Sequence, residues 1–253
     1  RGQVLFDDGS GPADVFALSG GDLQRYRRSV QFIFQDPFSS LNPRMTVSEI
    51  LTEPLIIHGM GAADERHERA KALLEMVGLD SRALSRYPHS FSGGQRQRLG
   101  IARALALEPS VLLCDEPVSA LDVSVQAQVL NLLKDLQASL GLSYLFVSHN
   151  LAVVDYVADV ISVMCRGYIV EEARKDQLFR SPRHPYTKAL LAAVPEPDLA
   201  HPLDFAKLRS ESFSDPARWP PPFRLAPGER GAMQEVEPGH RVRFATAETE
   251  EAA

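Results

Sequence analysis

Hydrophobic positions in this chain switch between short continuous runs and stretches spaced by three and four, so strands and helices should alternate along it. The runs at 4–6, 30–34, 111–114 and 142–147 read as strands, the first at an edge. Residues 160–165 with 168–171 read as a strand pair about Arg166-Gly167. Helical spacing covers 47–58, 64–77, 95–107, 125–140 and 151–158; in the second of these Ala70, Leu73, Leu74 and Val77 share one face. Gly78 and Gly141 stand just past the last apolar turn of their helices, where a residue without Cβ accepts the left-handed backbone that closes a helix. This alternation predicts an α/β fold with a mainly parallel sheet covered on both faces. From about 37 to 104 the pattern is mostly helical and interrupts it.

After Val194 the character changes. Half of the 18 prolines follow, Pro220-Pro221-Pro222 among them, and the end of the chain, 246–253, is small and acidic. Such a composition favours extended chain without a core, with 236–244 as a place for one more strand or hairpin. No internal repeat is present.

Two segments carry candidate chemistry. Phe91-Ser92-Gly93-Gly94-Gln95 leads into the helix at 95–107, and the run 111–114 ends in Asp115-Glu116-Pro117. A Ser-Gly-Gly turn at a helix start offers backbone N–H groups without helical partners to an anion, and glycines let the backbone approach a phosphate. Two carboxylates at a strand end suit oxygen coordination of Mg²⁺ and the orientation of a water for attack on phosphorus. Taken singly, the first is an ordinary turn and the second a solvated loop start.

Together, and followed by Ser119-Ala120-Leu121-Asp122 and Ser148-His149, they resemble the ATP-binding cassette (ABC) ATPase family. Residues 91–95 match its signature motif, 112–116 its Walker B strand, Ala120-Leu121-Asp122 its D-loop and His149 its switch histidine. Gln35, at the end of the run 30–34, matches its Q-loop glutamine. The resemblance implies a P-loop NTPase-like (RecA-like) nucleotide-binding domain over 1–195, with a helical subdomain at about 37–104 and a Pro-rich C-terminal extension over 196–253. It also implies the roles. Glu116 polarises the attacking water, His149 and Gln35 assist at the γ-phosphate, and Asp115 with Gln35 holds Mg²⁺. Ser92, Gly93, Gly94 and Gln95 contact ATP held by a partner subunit, and Asp122 lies at the dimer interface.

The family's Gly-x-x-x-x-Gly-Lys-Ser/Thr loop has no match; no lysine precedes Lys71. The glycines at 9–11 and in Ser19-Gly20-Gly21 read as surface turns, and the simplest expectation is a cassette lacking its N-terminal part. Two further segments resemble oligopeptide and dipeptide importers: Gln35-Asp36-Pro37-Phe38-Ser39-Ser40-Leu41-Asn42-Pro43-Arg44-Met45, and Ser181-Pro182-Arg183-His184-Pro185-Tyr186-Thr187-Lys188. In the second, the prolines by themselves place a helix start near Tyr186.

The resemblance therefore implies an ATP-hydrolysing subunit that energises peptide import. It would lie peripherally on the cytoplasmic face of a bacterial inner membrane. Its partners would be permease subunits, a second cassette in a homo- or heterodimer and, indirectly, a substrate-binding protein. The alternatives are an inactive remnant that serves as a binding partner and a DNA-maintenance ATPase. A net charge of −6 argues against a nucleic-acid surface, and the interval 36–90 carries neither zinc spacing nor heptads. Arg96, Arg98 and Arg103 make a local basic stretch, either a solvated face or a field beside phosphate. Cys114 and Cys165 sit in apolar runs without metal spacing and read as buried free thiols of a reducing compartment. No apolar run reaches the roughly 18 residues that span a bilayer.

Overall fold

The computed structural model describes residues 2–193, 214–226 and 228–246; the expected domain boundary at 195/196 and the acidic end 247–253 lie outside the described residues. The chain forms two compact units, Arg1–His149 and Asn150–Ala253.

In the first unit, β1 (Leu5–Phe6) and β2 (Ala13–Asp14) pair antiparallel, and α1 (Gly20–Ser29) leads into β3 (Val30–Ile33). A helical stretch follows: α2 (Pro37–Ser40), α3 (Val47–Ile57), α4 (Ala63–Met76) and α5 (Gly93–Leu105). β4 (Val111–Asp115), α6 (Val123–Leu140) and β5 (Ser143–Val147) complete the unit. β3, β4 and β5 lie side by side in parallel, with Val30 opposite Val111 and Asp115 opposite Val147. Their carboxyl ends therefore line up, as the alternation predicts.

One sheet face carries the buried Ile33, Leu112 and Cys114, and the Tyr144 hydroxyl on that face donates to the Leu133 carbonyl of α6 at 2.7 Å. The other face departs from expectation. Phe32 (37%), Leu145 (62%) and Val147 (50%) are exposed, so among the described residues the sheet is covered on one side only, because α6 packs on the side already buried. Two local readings also change. Ser19-Gly20-Gly21 is the start of α1 rather than a turn; Asp22 in its first turn and Arg27 and Arg28 in its last complement the helix dipole, and none of its residues is buried, which is why periodicity missed it. The arginines of α5 are not a simply solvated face. Arg96 donates to the Pro88 carbonyl (2.9 Å), Arg98 to the Val77 carbonyl that ends α4 (2.8 Å), and Arg103 to the Ser40 carbonyl that ends α2. They satisfy backbone acceptors that helix ends and loops leave open.

The second unit holds α7 (Leu151–Val157), β6 (Val160–Cys165), β7 (Tyr168–Arg174), α8 (Lys175–Arg180), α9 (Pro185–Ala192), β8 (Ala232–Glu237) and β9 (His240–Phe244). Its four strands form an antiparallel sheet in the order β6-β7-β9-β8. The hairpin expected at 236–244 is present and begins four residues earlier. The expectation of a coreless extension does not hold for the described residues. Trp219 and Leu225 are buried with Ile161, Val163, Cys165, Val170, Ala173 and Leu178 in one cluster. Both cysteines are free and buried. His184 caps α9, its Nδ1 accepting from the Tyr186 amide at 3.1 Å, and Pro185 follows at the first helical position, where a missing N–H costs nothing. Among the described residues no helix is long and apolar enough to cross a membrane.

Candidate functional site

Three side chains project from loops that follow the carboxyl ends of the three parallel strands: Gln35 after β3, Glu116 after β4 and His149 after β5. Because the strands are adjacent and in register, these loops converge. Gln35 Nε2 donates to Glu116 Oε2 at 2.9 Å, and His149 Nδ1 lies 2.9 Å from Glu116 Oε1. The Glu116 side chain is 22% exposed and that of His149 72%, so both remain reachable from solvent. The hydrogen bond from His149 is the largest influence holding the Glu116 carboxyl below its usual range, and smaller contributions come from Ser119 and Gln35. A carboxylate kept ionised, with two flexible polar side chains on its oxygens, can accept a proton from a water placed among them. Asp115 ends β4 directly before Glu116.

The residues of the signature match form a second group. Ser92 caps α5: its Oγ accepts from the Gln95 amide at 3.3 Å, while the Gln95 side chain accepts from the Ser92 amide at 3.0 Å. This reciprocal box commits the Gln95 side chain to the cap. The two glycines differ. A Cβ on Gly93 would meet Leu121 at an ordinary 3.7 Å, whereas one on Gly94 would fall 2.3 Å from Val125 Cγ1. Gly94 is therefore demanded by the packing of α6, and only Gly93 is free of such a constraint. Asp122 caps α6, accepting from the Val125 amide at 3.0 Å and the Ser124 hydroxyl at 2.9 Å; the first of these bonds, then the second, holds its carboxyl below the usual range.

Sequence reasoning missed one contributor to the Glu116 geometry. The Ser119 hydroxyl donates to the Glu116 carbonyl at 3.1 Å, and Glu116 itself has φ +44°. Nothing in the sequence signals that backbone, since a residue before proline ordinarily stays extended. As for a metal, no group of three or more His, Cys, Asp or Glu able to hold an ion occurs among the described residues. Mg²⁺ takes one or two protein oxygens and completes its shell with water and substrate phosphate. Asp115 and the amide oxygen of Gln35 are oxygen donors of the right hardness.

Comparison with known proteins gives a matching picture. The family model described as ABC transporter matches residues 1–119, and that described as the oligopeptide/dipeptide transporter C-terminal region matches 170–216. Five Brucella proteins named for peptide import ATP binding are 57% identical over 197 residues, 78% of this chain; the chain spans 61% of their length. The oligopeptide transport ATP-binding protein OppF of Bacillus subtilis is 50% identical over 248 residues, covering 98% of this chain and 78% of that protein. Among solved structures, a dimeric ATP-binding cassette in a post-hydrolysis state bound to ADP and Pi aligns with a TM-score of 0.56 at 32% identity. The alignment covers 64% of this chain and 70% of that one.

Proposed function

The chain belongs to the ABC transporter family, and on that premise we propose that it is an ATP-hydrolysing subunit of an importer for peptides or related small solutes. The observation that carries this reading is the convergence of Gln35 and His149 on the ionised Glu116 carboxylate at the ends of three parallel strands. Glu116 is the general base that draws the proton from the attacking water. His149, at the end of the neighbouring strand and well exposed, stabilises negative charge developing on the transferred phosphoryl group. Gln35 positions the water and gives its amide oxygen, with Asp115, to Mg²⁺, which when bound neutralises phosphate charge.

Ser92 and Gly93 offer the start of α5 to the γ-phosphate of ATP held by a partner cassette, while Gly94 and Gln95 build that turn. Asp122, at the head of α6 beside it, faces the same interface. Permease subunits and a second cassette are the partners this reading requires, and the segment 36–45 is the surface offered to the permease. With no membrane-crossing helix among the described residues, attachment to the inner membrane's cytoplasmic face runs through those subunits.

The test is Glu116→Gln in an assembled transporter that supplies a Gly-x-x-x-x-Gly-Lys-Ser/Thr loop, which the 253 residues do not contain. Glutamine keeps the shape and a hydrogen bond to Gln35 but cannot take the proton. ATP binding should persist and turnover fall by about 10²-fold or more. Turnover within about twofold of the parent would exclude Glu116 as base, and an inactive parent complex would favour a remnant that acts only as a binding partner.

A further inference from the structure

Glu116 pairs its functional position with an unusual backbone. Among the described residues, three other than glycine have positive φ: Glu108 (+55°), Glu116 (+44°) and Arg166 (+47°). Glu108 follows the end of α5, and Arg166 sits in the turn between β6 and β7, both places where chains reverse or stop. Glu116 is different, since it continues directly from β4 and precedes Pro117. A left-handed backbone is unfavourable for an L-residue with a long side chain, and the following proline favours extended geometry instead. Such strain persists only where surrounding bonds over-determine it, and it gathers at functional sites.

Those bonds are visible. The Glu116 amide donates to the Val147 carbonyl at 3.0 Å, tying it to the end of β5. Its carbonyl accepts twice from one residue, from the Ser119 amide at 3.2 Å and from the Ser119 hydroxyl at 3.1 Å. Pro117 and Val118, between them, are buried, so this turn is anchored below while Ser119 stays exposed. We propose that Ser119 is a positioning residue for the Glu116 carboxylate, its hydroxyl pinning the left-handed backbone from which Glu116 reaches Gln35 and His149. Rotation of φ to negative values would swing the Cα–Cβ bond and carry the carboxylate out of both 2.9 Å contacts. The amide bond alone fixes the carbonyl at one point; the hydroxyl adds a second donor and removes the freedom to rock. The catalytic half of this inference rests on Glu116 being the general base, while the geometric half stands without it.

Two substitutions separate the hydroxyl from everything else at the position. Ser119→Ala removes the donor at an exposed site, where no packing is lost, and Ser119→Thr keeps it. The first readout is the Glu116 backbone and its two contacts in crystal structures of the 253-residue chain and its variants. In Ser119→Ala φ should leave the left-handed region and the contacts to Gln35 and His149 should open, and in Ser119→Thr both should stay as in the parent. Unchanged geometry in Ala, or equal displacement in Ala and Thr, overturns the positioning role. The second is ATP hydrolysis in the assembled transporter, where Ser119→Ala should lower kcat about five- to tenfold with KM within about twofold, and Ser119→Thr should recover it. A lowered kcat that Thr fails to recover also overturns the proposal. If the parent complex hydrolyses no ATP, the functional reading fails, and the Glu116 geometry still decides what Ser119 does.

Discussion

Each unit of this chain contains a carboxylate with a histidine at hydrogen-bond distance, and the two pairs have opposite characters. Glu116 and His149 meet at 2.9 Å with 22% and 72% of their side chains exposed, whereas Glu171 and His240 meet at 2.7 Å with neither exposed at all. What distinguishes them is the identity of the other donors. Glu171 also accepts from the backbone amides of Arg183 (2.7 Å) and His184 (3.0 Å), which cannot turn away. Three fixed donors in a dry site leave that carboxylate nothing to offer a ligand, and it joins β7, β9 and the start of α9 as a structural fastener. Glu116 is held by the side chains of Gln35 and His149, which can leave by rotation, while its strain is taken up by the backbone. The same chemical pair therefore fastens when its partners are backbone and water is excluded, and can react when its partners are side chains and water can enter.

The sharpest way to break this comparison is at Glu171. Glu171→Ala strips a buried partner from His240 and leaves two amides without an acceptor, so the second unit should lose about 3–5 kcal/mol. The single tryptophan, Trp219, lies edge-on to His184 at 4.5 Å, and its emission reports that unit alone. A denaturation midpoint followed by Trp219 that equals the parent's would mean the pair fastens nothing.

A smaller effect follows from pH. Burial pushes the His184 imidazole down to about 4, with the Glu171 carboxylate opposing this and Arg243 adding to it. The unfolded chain takes up the proton first, near 6.5, so stability is complete above that pH. It falls as pH drops from about 6.5 to about 4, and levels off below, where both states are protonated. His184→Asn keeps a capping acceptor for α9 but cannot titrate. Its stability should therefore show a flatter slope across that window than the parent's, whatever its absolute value; identical slopes would remove His184 as the source.

The smallest effect belongs to the exposed pair. Glu116→Gln exchanges one acceptor for another at a solvent-facing site, so the unfolding transition of the first unit, followed by circular dichroism, should stay within about 2 °C of the parent's. A large loss there would make Glu116 a fastener as well and erase the contrast with Glu171.

Much of the first unit was legible because its signals are local. Periodicity marked β3 to β5 and the helices between them, Gly78 (φ +70°) and Gly141 (φ +66°) do stop their helices, and the loops after the strands brought Gln35, Glu116 and His149 together. What stayed hidden depends on partners distant in sequence. Glu171 and His240 stand 69 residues apart, and a glutamate in an alternating strand reads as solvent-facing until β9 covers it. Trp219 and Leu225 gain a core from β6, β7 and α8, which composition cannot reveal in a Pro-rich stretch. The arginines of α5 read as a solvated face or a field beside phosphate because carbonyls at the ends of other helices leave no trace in sequence. The open sheet face was missed for the converse reason, since apolar residues such as Phe32 and Leu145 imply a cover that α6, lying on the opposite face, does not provide.

The contact between Gly94 and Val125 has a consequence for how this surface can change over generations. With no room for even a methyl group between them, position 94 does not gain a side chain independently of 125. Any side chain gained at the first has to be matched by volume given up at the second. The helix that begins at Asp122 and the turn that begins at Ser92 thus vary as one block. Among diverging relatives, a side chain at 94 should appear only where 125 has become smaller, whereas 125 can shrink alone.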